Sequence, residues 1–151
     1  MIYPILEHDS TPIAFIEPSG VIQPRDMPEH CVVCFFKDVI ERVVAEHHAK
    51  RLVKNAWEDG PHPVYEITYQ GRRLAFFHPG VGAPLAASLL EQVIAFGCRK
   101  CIACGGCGVL EKDIAVGNLI VVSGAIRDEG VSYHYLPPNH GVHVAAEKAS
   151  I

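Results

Sequence analysis

Four cysteines recur at every third residue in the stretch CRKCIACGGC, at positions 98, 101, 104 and 107. Thiolates at short intervals bind zinc or iron–sulfur clusters, and an activated thiolate is a nucleophile. If residues 100–104 form a strand, however, thiols three residues apart point to opposite faces, and Cys98 and Cys104 lie more than about 10 Å apart. We therefore predict no metal or cluster site, and expect Cys98, Cys101 and Cys104 to pack in a loop and a buried strand.

Three histidines near the C-terminus, His134, His140 and His143, form a second set of possible metal ligands. No helix or strand is expected to bring all three around one ion, so we predict no metal site there either. No general base can be identified for Cys107, and no residue is predicted to be catalytic.

Two glycine-rich turns carry a stronger functional signal. The stretch HPGVGAP, residues 78–84, joins a strand to a helix, and GGCG, residues 105–108, follows a strand. In open α/β sheets, ligands bind beyond the carboxyl ends of the strands, where glycine lets a substrate approach the backbone. Amides at a helix N-terminus can also bind an anion. Taken alone, each turn is a weak signal, because glycine turns at strand ends are more often structural than ligand-binding.

Hydrophobic periodicity predicts the helices and strands that would position these turns. It predicts a strand over 31–36, a helix over 37–49, a hairpin joined at residues 70–71, a helix over 85–97 capped by Gly97, and strands over 100–104 and 119–126. Strands separated by helices of about a dozen residues indicate an α/β fold with a mostly parallel sheet.

Composition excludes several classes of protein. A chain of 151 residues with 49% hydrophobic and 20% charged residues is typical of one globular domain. The net charge of −4 argues against binding to nucleic acid. The chain shows no signal-like start and no run of roughly 18 apolar residues. We therefore expect a soluble cytoplasmic protein that binds no membrane and keeps its six cysteines reduced.

Four motifs occur in the order found in the nucleoside phosphorylase superfamily, in the branch that contains uridine phosphorylase and the hexameric purine nucleoside phosphorylases. They are Gly80-Val81-Gly82-Ala83-Pro84, Gly105-Gly106-Cys107-Gly108, Val116-Gly117-Asn118 and Ala125-Ile126-Arg127-Asp128-Glu129-Gly130. The sequence resembles that family over residues 64–138, and more loosely back to residue 31. The resemblance implies a three-layer α/β/α fold with a central mixed, mostly parallel sheet. It also implies that residues 1–151 are one truncated domain, the N-terminal portion, with the C-terminal half absent.

The resemblance further implies cleavage of the N-glycosidic bond of a purine or pyrimidine nucleoside. Inorganic phosphate would be the co-substrate, no cofactor would be needed, and the protein would be a homo-oligomer, a dimer or a hexamer. The implied substrate-binding residues are Val81, Gly82, Gly106, Cys107, Gly108 and Arg127. Val81 matches a position beside the ribose and phosphate, and the GGCG turn matches one that passes the base and phosphate.

Several phosphate ligands of the family are missing. The family's first strand ends in G-D-P-x-R, whereas this chain has FFKDV at 35–39, and Ala103 and Gly106 stand where the family has arginine and serine or threonine. Without arginine, bidentate phosphate recognition is lost. Phosphorolysis and hydrolysis both remain open, as does the activity of this chain alone. The alternative is a non-catalytic module for nucleoside or base binding, or for oligomerisation.

Overall fold

The computed structural model describes Tyr3, residues 6–138 and, for the backbone alone, residues 143–145. It divides into a sheet unit, residues 13–107, and a second unit formed by residues 1–12 and 108–151. The described elements are α1 (Pro18–Val21), β1 (His30–Cys34), α2 (Lys37–Glu46), β2 (Lys50–Val53), β3 (Ala56–Trp57), β4 (Gly60–Pro61), β5 (Val64–Tyr69), β6 (Arg72–Phe77), α3 (Ala83–Phe96), β7 (Lys100–Cys104), β8 (Gly124–Ile126), α4 (Ser132–Tyr135) and β9 (His143–Ala145).

A five-stranded mixed sheet forms the centre of the sheet unit, in the order β2-β5-β6-β1-β7. Strand β1 is parallel to both β6 and β7, whereas β5 is antiparallel to β2 and β6. The mixed sheet is as predicted, although only two of its four ladders are parallel. The reason lies in the predicted hairpin, because Gln70 and Gly71, with φ of +47° and +74°, form a tight turn that joins antiparallel strands.

Helices cover both faces of this sheet, which confirms the three-layer architecture. Along β1, Cys31 and Val33 pack in one hydrophobic cluster with α3, and Cys34 packs in another with Ile40 of α2. A strand covered on both faces needs apolar side chains at every position, and this explains the run CVVC. Helix α3 ends at Phe96, where the predicted cap Gly97 has a φ of +137°.

The edge position of β7 contradicts one expectation. Cys98 is fully buried, as predicted, but Cys101 and Cys104 are exposed rather than part of a buried strand. The cause is the strand order, since β7 is the last strand of the sheet and pairs only with β1 among the described residues.

In the second unit, β8 pairs with β9 as a two-stranded antiparallel sheet. The predicted strand over 119–126 is therefore wrong for residues 119–123, which are exposed and lie outside every described ladder. An apolar run becomes a strand only where a neighbouring backbone pairs with it. No helix in the described part of the chain is both long and apolar enough to cross a bilayer.

Candidate active site

Three strands of the sheet unit end side by side. Strands β6, β1 and β7 end at Phe77, Cys34 and Cys104, and Val33 of β1 is in register with Phe77 on one side and Ala103 on the other. Because the three strands are parallel, the segments that follow them leave the sheet at the same edge. Both glycine turns singled out in the sequence therefore lie at this edge, one on each side of the segment that follows β1.

The turn after β6 exposes the backbone at the start of α3. Gly80 and Gly82 have φ of +75° and +89°, and the Gly80 N–H donates a 3.1 Å hydrogen bond to Nδ1 of His78. Gly82 is the N-cap of α3 and provides no side chain to satisfy the first N–H groups of the helix. Val81 is 86% exposed. This geometry leaves backbone donors at a positive helix end, which suits an anionic or hydroxyl-rich ligand.

The turn after β7 lies against two phenylalanines. A Cβ added to Gly105 would lie 3.2 Å from Cβ of Phe35, and one added to Gly106 would lie 3.3 Å from Cε1 of Phe36. Both phenylalanines are partly exposed, as is Cys107. The glycines thus let the turn approach two aromatic side chains whose faces can stack on a planar ring. In the sequence these two residues stand out only as departures from the family's phosphate loop, although aromatic residues directly after a buried strand were a usable signal.

Positive charge at this edge is limited. No arginine occurs in segments 35–36, 78–82 or 105–107. The first residue of α2, Lys37, is largely exposed, with its Nζ 3.9 Å from a carboxylate oxygen of Glu41. The N-cap of α2, Phe36, also lacks a capping side chain. Anion binding here would therefore depend on Lys37 and the backbone amides of two helix N-termini.

Gly108 and Arg127 belong to the second unit. In the structure, Arg127 binds the residues in and after α4. Its guanidinium is buried and donates to the Ser132 hydroxyl at 2.9 Å, and to the carbonyls of Ser132, Leu136 and Pro137 at 2.7, 2.8 and 3.1 Å. It also lies 4.7 Å from the centre of the Tyr133 ring. These bonds fix the residues in and after α4. Substrate binding by Arg127 stays a prediction.

Among the described side chains, no group of three or more histidine, cysteine or acidic residues is arranged to hold an ion. Of the histidines named above, His140 lies outside the described residues, and only the backbone of His143 is described.

Comparison with known proteins identifies the family of this chain. The family model of the phosphorylase superfamily matches residues 29–150. The chain therefore belongs to the phosphorylase superfamily, which confirms the resemblance noted in its motifs.

Individual relatives within the superfamily are nucleoside phosphorylases. A guanosine phosphorylase from Halorubrum lacusprofundi is 27% identical over 119 residues, which cover 79% of this chain and 48% of that protein. A DeoD-type purine nucleoside phosphorylase from Actinobacillus pleuropneumoniae is 35% identical over 69 residues, which are 45% of this chain and 29% of that protein. The chain spans about half the length, or less, of these curated relatives.

Solved structures show the same fold. A uridine phosphorylase from Vibrio fischeri superposes with a TM-score of 0.69 at 27% identity, covering 83% of this chain and 49% of that one. A purine nucleoside phosphorylase from Toxoplasma gondii superposes with a TM-score of 0.67 over 89% of this chain and 53% of that one. At 20% identity, the second likeness bears on the fold alone.

Proposed function

We propose that this chain contributes the nucleoside-binding edge of an enzyme that cleaves the N-glycosidic bond of a purine or pyrimidine nucleoside. The observation that carries the proposal is the position of the two glycine turns, 78–82 and 105–107, at the carboxyl ends of parallel strands on either side of β1. We further propose that residues 1–151 act as a single domain, since one family model runs through both units.

The chemistry of the bond explains why this edge suits it. Cleavage develops positive, oxocarbenium-like charge on the ribose, so the site must hold the sugar between the leaving base and an attacking phosphate or water. The uncapped amides of α3 beside Val81 would bind the phosphate or the ribose hydroxyls. The exposed rings of Phe35 and Phe36, beside the turn at Gly106, would contact the base.

The lack of arginine bears on how tightly the site would bind phosphate, and on whether phosphate or water would attack the ribose. Backbone amides and one lysine bind phosphate with less geometric specificity than a guanidinium fork. We therefore propose that phosphate is at most a weakly bound co-substrate, and that water is the competing acceptor.

No further cofactor is proposed. The described cysteines are free, which supports a reducing, cytoplasmic compartment. Family membership is the basis for proposing a homo-oligomer.

The test incubates the purified protein with guanosine, inosine, adenosine and uridine, with and without inorganic phosphate, and measures released base by chromatography. Release that requires phosphate identifies a phosphorylase, and release without it identifies a nucleoside hydrolase. Nucleoside binding by calorimetry without release would identify the non-catalytic module instead. The proposal would be overturned if the protein bound no nucleoside and released no base from any of the four.

A matched pair of variants assigns the effect to the proposed edge. Val81→Glu places a carboxylate beside the uncapped start of α3, where it repels phosphate and competes for the backbone donors. Val21→Glu makes the same change at another exposed valine, 71% exposed, at the end of α1. We expect Val81→Glu to weaken nucleoside or phosphate binding at least about tenfold, the size of one lost charged hydrogen bond, and Val21→Glu to leave it unchanged. Equal effects of the two variants would refute the assignment of this edge.

A further inference from the structure

Cysteines face each other across β1 and β7 in two pairs. The register places Cys31 opposite Cys101 and Cys34 opposite Cys104. Because residues three apart in a strand point to opposite sides, the two pairs lie on opposite faces of the sheet. The three-residue spacing thus separates thiols within each strand, yet aligns them between the two strands.

The first pair combines a buried thiol with an exposed one. Cys31 is 1% exposed and packs in the same cluster as the buried Cys98, whereas Cys101 is exposed at the sheet edge. The S–H of Cys98 donates to the Pro28 carbonyl at 3.1 Å. Cys31 is therefore the buried thiol that is aligned with Cys101.

The neighbouring thiols also set the ionisation of the pair. Bonds to Cys101 and Cys98, together with burial, hold the pKa of Cys31 far above its usual range. The bond from Cys31 lowers the pKa of Cys101 to about 7. An S–H donor beneath an exposed acceptor favours the thiolate on the exposed sulfur.

The second pair provides an internal comparison. Burial and a hydrogen bond with Cys34 raise the pKa of Cys104. The Cys34 thiol also contacts the Phe36 carbonyl at 3.8 Å. The same two strands, in the same register, thus carry one pair with an activated thiolate and one pair without.

We propose that Cys101 and Cys31 form a peroxide-oxidised dithiol, in which Cys101 is the reacting thiolate and Cys31 the resolving thiol. The Cys101 thiolate attacks hydrogen peroxide and breaks the O–O bond, which gives Cys101 sulfenic acid and hydroxide. The Cys31 thiol then attacks the sulfenic sulfur, expels the hydroxyl group as water with its own proton, and forms the Cys31–Cys101 disulfide. The hydroxide takes up the proton that Cys101 lost on ionising, so that in total two thiols and one peroxide give one disulfide and two waters, and two electrons pass from sulfur to peroxide oxygen.

Strand spacing permits this bond. Neighbouring strands lie about 4.8 Å apart, within the range of roughly 4.4–6.8 Å over which disulfides join two Cα atoms. The new bond would tie β7 to β1 on the face covered by α3.

Thiolate chemistry gives the expected selectivity. The lowered pKa of Cys101 leaves a larger fraction of this thiol ionised at pH 7 than of Cys104, whose pKa is raised. The lower basicity also reduces the intrinsic nucleophilicity of the Cys101 thiolate, but by less than the gain in thiolate. Peroxide or an alkylating reagent should therefore modify Cys101 several-fold faster than Cys104.

The experiment treats the full chain at pH 7 with an equimolar amount of hydrogen peroxide, blocks remaining thiols with N-ethylmaleimide, and maps cross-linked peptides by mass spectrometry without reduction. The expected product is the Cys31–Cys101 disulfide. A Cys34–Cys104 bond, a Cys98–Cys101 bond, or oxidation confined to Cys107 would each overturn the proposal, as would the absence of any disulfide.

Two variants at exposed cysteines of the outer strand β7 complete the test without disturbing the core. Cys101→Ser should abolish the disulfide, and the matched Cys104→Ser should leave its yield unchanged. In Cys31→Ser, Cys101 should accumulate as a sulfenic acid that dimedone labels. If that buried substitution prevents folding, the labelling rates of Cys101 and Cys104 by iodoacetamide in the unaltered protein decide the matter, and equal rates refute the activation of Cys101.

Discussion

The turn before α3 allows a sharp test of how closely the backbone must pack there. Gly80 has a φ of +75°, and a Cβ at this position would collide with the side chain of Leu85. Gly71, in the hairpin, has nearly the same φ, +74°, but a Cβ there would meet no atom within 4 Å. The two glycines therefore differ in space and not in backbone strain, and Gly71→Ala is a matched control for Gly80→Ala.

The expected losses of stability follow from the backbone strain at both glycines and from the collision at Gly80 alone. Left-handed backbone costs alanine about 1–2 kcal/mol relative to glycine, so Gly71→Ala should lose about that much stability. Overpacking a filled site adds about 1–3 kcal/mol, so Gly80→Ala should lose about 2–5 kcal/mol. Adding Leu85→Ala to Gly80→Ala removes the colliding side chain, so the double variant should lose less than the sum of the two single changes.

Urea unfolding, followed by the fluorescence of Trp57, the only tryptophan, measures the free energy of unfolding of each variant and of the unaltered protein. The variants are Gly71→Ala, Gly80→Ala, Leu85→Ala and the double variant Gly80→Ala/Leu85→Ala. Trp57 reports on the sheet unit, since it packs against the α3 face of the sheet and its Nε1 lies 3.4 Å from the Gln92 side chain. Equal losses for Gly80→Ala and Gly71→Ala, or additive losses in the double variant, would refute the collision as the cause.

Two further predictions concern arginines that join separate segments. Arg73 lowers the pKa of Asp26 and Glu66 by hydrogen bonds of 2.6–2.9 Å, so the stabilisation is present above the unfolded values of about 4 and is lost as the pH falls below them. The difference in Tm between the unaltered protein and Arg73→Gln should shrink as the pH is lowered from 7 to about 2.5, and a constant difference would contradict the assignment. Arg127→Lys should lose the fork that binds Ser132 and the carbonyls after it, at a cost of about 2–3 kcal/mol to the second unit. Hydrogen exchange of residues 124–137 measures this loss, and unchanged protection together with weaker nucleoside binding would instead support the predicted substrate-binding role.

Local patterns in the sequence predicted the elements of the sheet unit. The hairpin at Gln70-Gly71, the helix ended by Gly97 and the strand at residues 100–104 all appear in the structure. Each depends on a pattern within one short segment, such as a tight turn, a helix cap or a buried strand. The glycine turns were also recognised correctly as strand ends, and parallel pairing explains why they lie at the same edge.

Features that depend on distant pairing were not predictable. The register that aligns Cys31 with Cys101 is a property of two strands, and the spacing within either strand carries no information about it. The exposure of β7 follows from its edge position in the strand order, which composition does not specify. Residues 119–123 look like a strand in the sequence because of their apolar side chains, but backbone pairing decides their conformation.

The central position of β1 has a consequence for how the chain folds. β1 is made well before its partners, because Cys31 pairs with Ala75 and Cys101, which follow much later in the chain. The β5–β6 hairpin closes locally and can form as soon as it is synthesised, whereas both edges of β1 wait for partners that require large loop closures. An apolar strand with both edges open is thus present on the nascent chain until β6 is made, and one edge stays open until β7 is complete. Folding of this sheet is expected to be slow, and β1 is the segment that most needs protection from aggregation in that interval.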